Sequence, residues 1–93
     1  MDTANPPNPS PYTVAAVLSD AIEAAGKSQR QVATEAGIAH TTLHRRLSGD
    51  RVLLLDEVGR IGQAVGRKTS DLLREAEDRE SRSHMHPPVP ASV

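Results

Sequence analysis

The sequence predicts an all-α domain of five short helices between two disordered tails. Apolar residues recur at helical spacing, first as Val14, Val17, Leu18, Ala21, Ile22 and Ala25 at i, i+3, i+4, i+7, i+8 and i+11. Glycines close such runs at Gly26, Gly37 and Gly66, where a helix C-terminus favours a left-handed residue. No stretch alternates apolar and polar residues as a half-buried strand does, and no internal repeat is present.

Residues 1–12 hold Pro6, Pro7, Pro9 and Pro11 among Asn and Ser, and are expected to form a disordered arm. Thr13 is the expected N-cap of the first helix. Two short helices follow at about 28–36 and 40–48, then a turn at Ser48-Gly49-Asp50. Leu55, Val58, Ile61, Gly62 and Val65 mark the fourth helix. Gly59 and Gly62 inside it each cost about 1 kcal/mol relative to Ala, which a close helix packing would justify. Thr69 or Ser70 starts the fifth helix, with Asp71 in the first turn where the helix dipole favours an acid. Its apolar residues are Leu72, Leu73 and Ala76, a short patch that either closes the core or pairs with a second copy. The run Glu77-Asp78-Arg79-Glu80-Ser81-Arg82 is polar all round and is expected to fray. Residues 83–93, with Pro87, Pro88 and Pro90, read as disordered. The domain is therefore expected over 13–76, with 77–93 as a fraying helix end and tail.

Composition narrows the function. The chain has 93 residues, one aromatic (Tyr12) and no Phe, Trp or Cys. Its core must come from Ala, Val, Leu and Ile, which places stability near the low end of roughly 5–15 kcal/mol. The absence of Cys fits a reducing compartment. No run approaches the ~18 apolar residues of a membrane span, and the Pro-rich N-terminus does not read as a signal peptide. A soluble, cytoplasmic protein is expected. Net charge is -1, but it is unevenly placed. Residues 1–25 sum to -3 and residues 69–93 to -2, while residues 26–68 hold eight Lys and Arg against four acids, a balance of +4.

The positive segment contains the most informative stretch, residues 28–49. Ser28 and Gln31 have capping-box spacing. Val32, Ala33 and Ala36 form a small apolar face, and Gly37 suits the helix end. Leu43 and Leu47 mark the inner side of the next helix. Its other side carries His40, Thr41, Thr42, His44 and Arg45, rich in hydrogen-bond donors and free of acids. A helix entering the DNA major groove has this character. Lys27 and Arg30 flank the start of the preceding helix, where a phosphate would be favoured. Arg46 and Arg51 lie beside the motif. Together these cations suggest about four to six phosphate contacts per monomer.

Over about residues 15–73 the chain resembles the lambda-repressor/Cro-like (Xre-like) helix-turn-helix family. The resemblance rests on Ser28-Gln29, Ala33, Gly37-Ile38, Thr42-Leu43, the stretch Arg46-Leu47-Ser48-Gly49-Asp50-Arg51, then Leu55-Asp56-Glu57-Val58 and Ile61 through Gly66. It implies a compact five-helix lambda-repressor-like domain that binds double-stranded DNA and regulates transcription. It implies that His40, Thr41 and Arg45 approach base edges, with Thr42 and His44 nearby, and that Gln29 contacts the DNA backbone or braces the recognition helix. Ser28, Lys27, Arg30, Arg46 and Arg51 complete the expected phosphate contacts. Family members usually bind as dimers on two half-sites about 10 base pairs apart. The short chain looks like a phage or prophage repressor or Cro-like protein, acting in a bacterial cell or phage-infected host. The chain departs from the family in three places. Ala39 stands where a capping Ser or Thr is common, Arg46 where an apolar residue is usual, and Leu54 where an N-cap is expected.

Other chemistries find less support. His40 and His44 stand at i, i+4, but no third ligand follows at metal-site spacing. His84 and His86 lie in the expected tail. Asp56 and Glu57 are adjacent on a helix and diverge, so they are not an acid–base pair. No enzyme signature, cofactor or small-molecule ligand is expected. A lone Tyr offers no stacking platform for single strands. The alternative is a protein-binding module such as an antitoxin. A toxin-binding tail needs apolar anchors, and residues 77–93 offer few, chiefly Met85 and Val89.

Overall fold

The structure, a computed structural model, describes residues 10–49 and 52–85. These form five helices and no strand: α1 (Pro11–Ala24), α2 (Gln29–Ala36), α3 (His40–Leu47), α4 (Leu55–Val65) and α5 (Thr69–Met85). α2 packs on α4, α1 on α5, and α3 lies across α1 and α2. One aliphatic cluster joins all five, with Leu18, Leu43, Ile61, Leu72, Val17 and Val32 fully buried at its centre. No polar or charged residue is buried among the described residues. Among them, no helix is long and apolar enough to cross a membrane.

Helix α1 begins earlier than the Thr13 cap predicted from sequence. Ser10 is the N-cap, and its Oγ accepts from the Thr13 amide at 3.2 Å. Pro11 stands in the first turn, where its missing N–H costs nothing. The expected arm over 1–12 therefore contributes its last residues to the helix, and residues 1–9 lie outside the described residues.

Helix α5 corrects the expectation of fraying after Ala76, for it continues to Met85. Apolar periodicity ends there, but polar ties to α1 take over. Arg79 Nη2 donates to Asp20 Oδ2 at 2.8 Å and to Glu75 Oε2 at 2.7 Å. Glu80 Oε1 accepts from Thr13 Oγ1 at 2.6 Å and from the Ser10 amide at 3.2 Å. Leu72 and Ala76 are buried and close the core, and Leu73 is half-buried beside them. Residues 86–93, with His86 and the three prolines, lie outside the described residues.

Two glycines set the geometry around α2 and α4. Gly37 ends α2 at φ 71°, and Ile38 N–H then reaches back to the Ala33 carbonyl at 2.9 Å. This tight reversal starts α3 three residues later. Gly62 lies on the buried side of α4, and a Cβ there would meet the Arg67 carbonyl oxygen at 2.7 Å and Leu72 Cδ1 at 3.0 Å. The turn into α5 therefore crosses directly over Gly62.

Candidate nucleic-acid interface

Leu43 and Leu47 fasten α3 to the core, at 0% and 9% exposure. Their burial turns the opposite side of the helix outward. His40, Thr41, His44 and Arg45 are exposed and line one shallow, open depression; Thr42 is half-buried. The five expected base-contacting residues thus share α3, four of them exposed and Thr42 half-buried. No acid lies on α3, and Arg45 has no acidic partner among the described residues. Ala39 supplies no side-chain cap, so the first amides of α3 face outward without one.

The expected phosphate contacts divide. Arg30 is exposed and has no acidic partner among the described residues. Ser28 is engaged in capping, its Oγ accepting from the Gln31 amide at 3.0 Å. Only half of the expected box forms, because Gln31 Nε2 turns to Glu35 Oε2 at 3.3 Å. Gln29 is half-buried beside Ser19, Ile22, Glu23 and Lys27, along the α1–α2 junction. Arg51 lies outside the described residues.

Lys27 and Arg46 are placed differently from what their charge suggested. Lys27 Nζ donates to Glu35 Oε1 at 2.6 Å and to the Ala64 carbonyl at 2.8 Å, in the last turn of α4. There the ammonium meets the negative end of the helix dipole and joins α2 to α4. It holds the Glu35 carboxyl below the ordinary carboxylate range. Arg46 forms a two-point pair with Glu57, Nε to Oε1 at 2.8 Å and Nη2 to Oε2 at 3.0 Å. Both side chains are largely covered, at 20% and 12% exposure. The pair lowers the Glu57 carboxyl and raises the Arg46 guanidinium from their usual values. The position that departed from the apolar pattern thus buries its stem while Leu47 packs inward.

Glu57 is the residue that sequence reading passed over. Its Oε1 also accepts the Leu54 amide at 3.0 Å. Leucine carries no acceptor, so α4 begins with only the return half of a capping box. The signal was available in the spacing: an acid three residues past a helix start is a capping position.

Comparison with protein-family models, with curated proteins and with solved structures finds no match for this chain.

Proposed function

We propose that the chain is a sequence-specific, double-strand DNA-binding transcriptional regulator of the lambda-repressor/Cro-like helix-turn-helix kind, reading the major groove with α3. The observation that carries this is the division of α3 into two sides. Leu43 and Leu47 hold the helix in the core, and His40, Thr41, His44 and Arg45 stand exposed without an acid among them. Hydroxyl, imidazole and guanidinium groups supply the donors and acceptors that base edges demand, and the length of α3, about 12 Å at eight residues, suits the groove. The reversal at Gly37 brings α2 against α3, so that Arg30 at the α2 start would approach the backbone flanking the groove.

Binding-site selection with the full chain tests this. A recovered consensus duplex should bind with a salt dependence set by Arg30, Arg45 and Arg51. That is about two to three phosphate contacts per monomer, or a slope of log affinity on log salt of about -2 to -3. Lys27 and Arg46 would add to that slope only by leaving their internal partners. No enrichment, with a flat salt response, would remove the DNA reading. A homodimer on two half-sites is part of the proposal, and a stoichiometry of two chains per selected duplex is its check.

A further inference from the structure

We infer that Glu57 is a positioning residue for α3: through Arg46 it fixes the C-terminal turn of α3 against the start of α4 and so sets the aim of His40, Thr41, His44 and Arg45. The inference rests on the DNA reading for its functional consequence. Its structural part stands on the geometry alone.

An eight-residue helix held by Leu43 and Leu47 is anchored along one line. Two anchors at i, i+4 resist lifting, but they constrain a roll about the helix axis less than a contact on its flank does. At about 100° per residue, Arg46 lies roughly 80° round the axis from the midpoint of the two leucines. A contact on that flank is what stops a roll. The guanidinium and carboxylate make two parallel bonds, which fix orientation as well as distance. Both groups are mostly covered, so salt screens them less than an open surface pair. The same carboxylate oxygen that binds Arg46 Nε also holds the Leu54 amide. One side chain therefore ties the end of α3 to the first turn of α4. The neighbouring arginines divide accordingly: Arg45 is exposed on the outer face, and Arg46 turns back to Glu57.

This assignment differs measurably from a phosphate contact at Arg46. A phosphate contact contributes about -0.9 to the salt slope and no sequence preference. A strut contributes nothing to the slope, and its loss blurs the preference. The test uses full-length wild type, Glu57→Gln, Arg46→Met and the double variant. Each is titrated at several salt concentrations on the duplex selected by wild type and on a scrambled duplex. Glu57→Gln and Arg46→Met should each lower the specific-to-scrambled affinity ratio by about tenfold and leave the salt slope at the wild-type value. The double variant should be no worse than the weaker single, because the two residues act through each other. Amide exchange on the free proteins supplies the structural readout. The Leu47 and Ser48 amides should exchange at least about tenfold faster in both variants, measured relative to Leu18 and Ile61, which report global unfolding.

A slope reduced by about 0.9 in Arg46→Met with an unchanged ratio makes Arg46 a phosphate ligand and overturns the inference. An unchanged ratio in Glu57→Gln, or additive effects in the double variant, overturns it too. Unaltered exchange at Leu47 and Ser48 refutes the strut whatever the DNA results. Failure of wild type to bind any duplex instead removes the DNA reading, and the exchange data then decide whether Glu57 fixes α3.

Discussion

Gly59 and Gly62 lie one turn apart in α4, and replacing each by alanine should move stability in opposite directions. In a helix interior alanine is favoured over glycine by about 1 kcal/mol. Against that gain stands whatever the new methyl meets. At Gly59 the Cβ would meet only Thr69 Oγ1, at 3.3 Å. A hydroxyl on a single side-chain torsion gives way by a few tenths of an ångström at little cost. At Gly62 the Cβ would meet a backbone oxygen, Arg67 O, at 2.7 Å, together with Leu72 Cδ1 at 3.0 Å. The Arg67 amide is itself bonded to the Gly62 carbonyl at 2.8 Å, so that turn cannot retreat without breaking a helix-ending bond. Overpacking of this kind costs about 1–3 kcal/mol, and contact with backbone places it in the upper part of that range. The expected net is a gain of up to about 1 kcal/mol for Gly59→Ala and a loss of about 1–2 kcal/mol for Gly62→Ala. For a domain of this size 1 kcal/mol shifts Tm by about 4–8 °C. Thermal unfolding followed by circular dichroism should therefore show Gly59→Ala a few degrees above wild type and Gly62→Ala about 4–16 °C below it. Equal shifts of the same sign in both variants would show that the turn does not press on Gly62, and the close α4–α5 approach would be refuted.

Leu43→Ala should remove about 2–5 kcal/mol, a large share of the stability of an aliphatic-only core, and a melting temperature equal to wild type would mean that Leu43 is not buried. Within the DNA reading, Thr41→Ala should relax sequence preference, whereas Arg30→Ala should weaken all duplexes alike and shrink the salt slope by about 0.9; site selection and salt titration separate the two, and a reversed pattern would put the wrong face in the groove. Glu35, Glu57 and Glu75 are held below the ordinary carboxylate value, chiefly by Lys27, Arg46 and Arg67 respectively. A folded value below the unfolded one means stability that is present above the unfolded value, near 4.5, and lost as pH falls through the folded values. Urea midpoints should be steady above about pH 5 and fall below it, with a shallower fall in Glu57→Gln; an acid limb identical to wild type would show that the Arg46 pair does not form in solution.

Much of the helical framework was legible because apolar burial leaves a periodic trace. The spacing from Val14 to Ala25 marks α1, and Gly26, Gly37 and Gly66 mark three helix ends, each found at positive φ. What escaped was polar. The continuation of α5 past Ala76 depends on Arg79 finding Asp20, and Glu80 finding Thr13, across 59 and 67 residues of sequence. Nothing local announces such partners, and the stretch reads as a solvated helix end. The start of α1 is hidden because Pro11 continues the run of prolines in residues 6–11, although proline is at home in a first turn. The candidate site divides in the same way. That Thr41 and Arg45 turn away from Leu43 and Leu47 follows from helical geometry alone; the exposure of His40 and His44, nearer the buried side, does not. The roles of Lys27 and Arg46 do not, because a cation beside a motif looks the same in sequence whether it faces a ligand or an internal acid.

That ambiguity governs how the charge of the chain should be read. The balance of +4 over residues 26–68 places the positive charge where the motif lies. In the fold, Lys27, Arg46, Arg60 and Arg67 are matched by Glu35, Glu57, Asp56 and Glu75. One of those acids, Glu75, belongs to the acidic C-terminal segment, so counting by segment conceals the neutralisation. Arg30, Arg45 and Lys68 have no acidic partner among the described residues, and only Arg45 stands on the outer side of α3. Within the DNA reading, an α2–α3 surface with so few uncommitted cations would draw less of its affinity from counterion release, and the share left to hydrogen bonds on base edges would be correspondingly larger. For such a protein the aim of α3 matters more than its charge. Within the DNA reading, a small roll that a strongly basic domain would tolerate as non-specific binding would here cost affinity, and the tie from Glu57 to Arg46 would then bear on recognition as well as on stability.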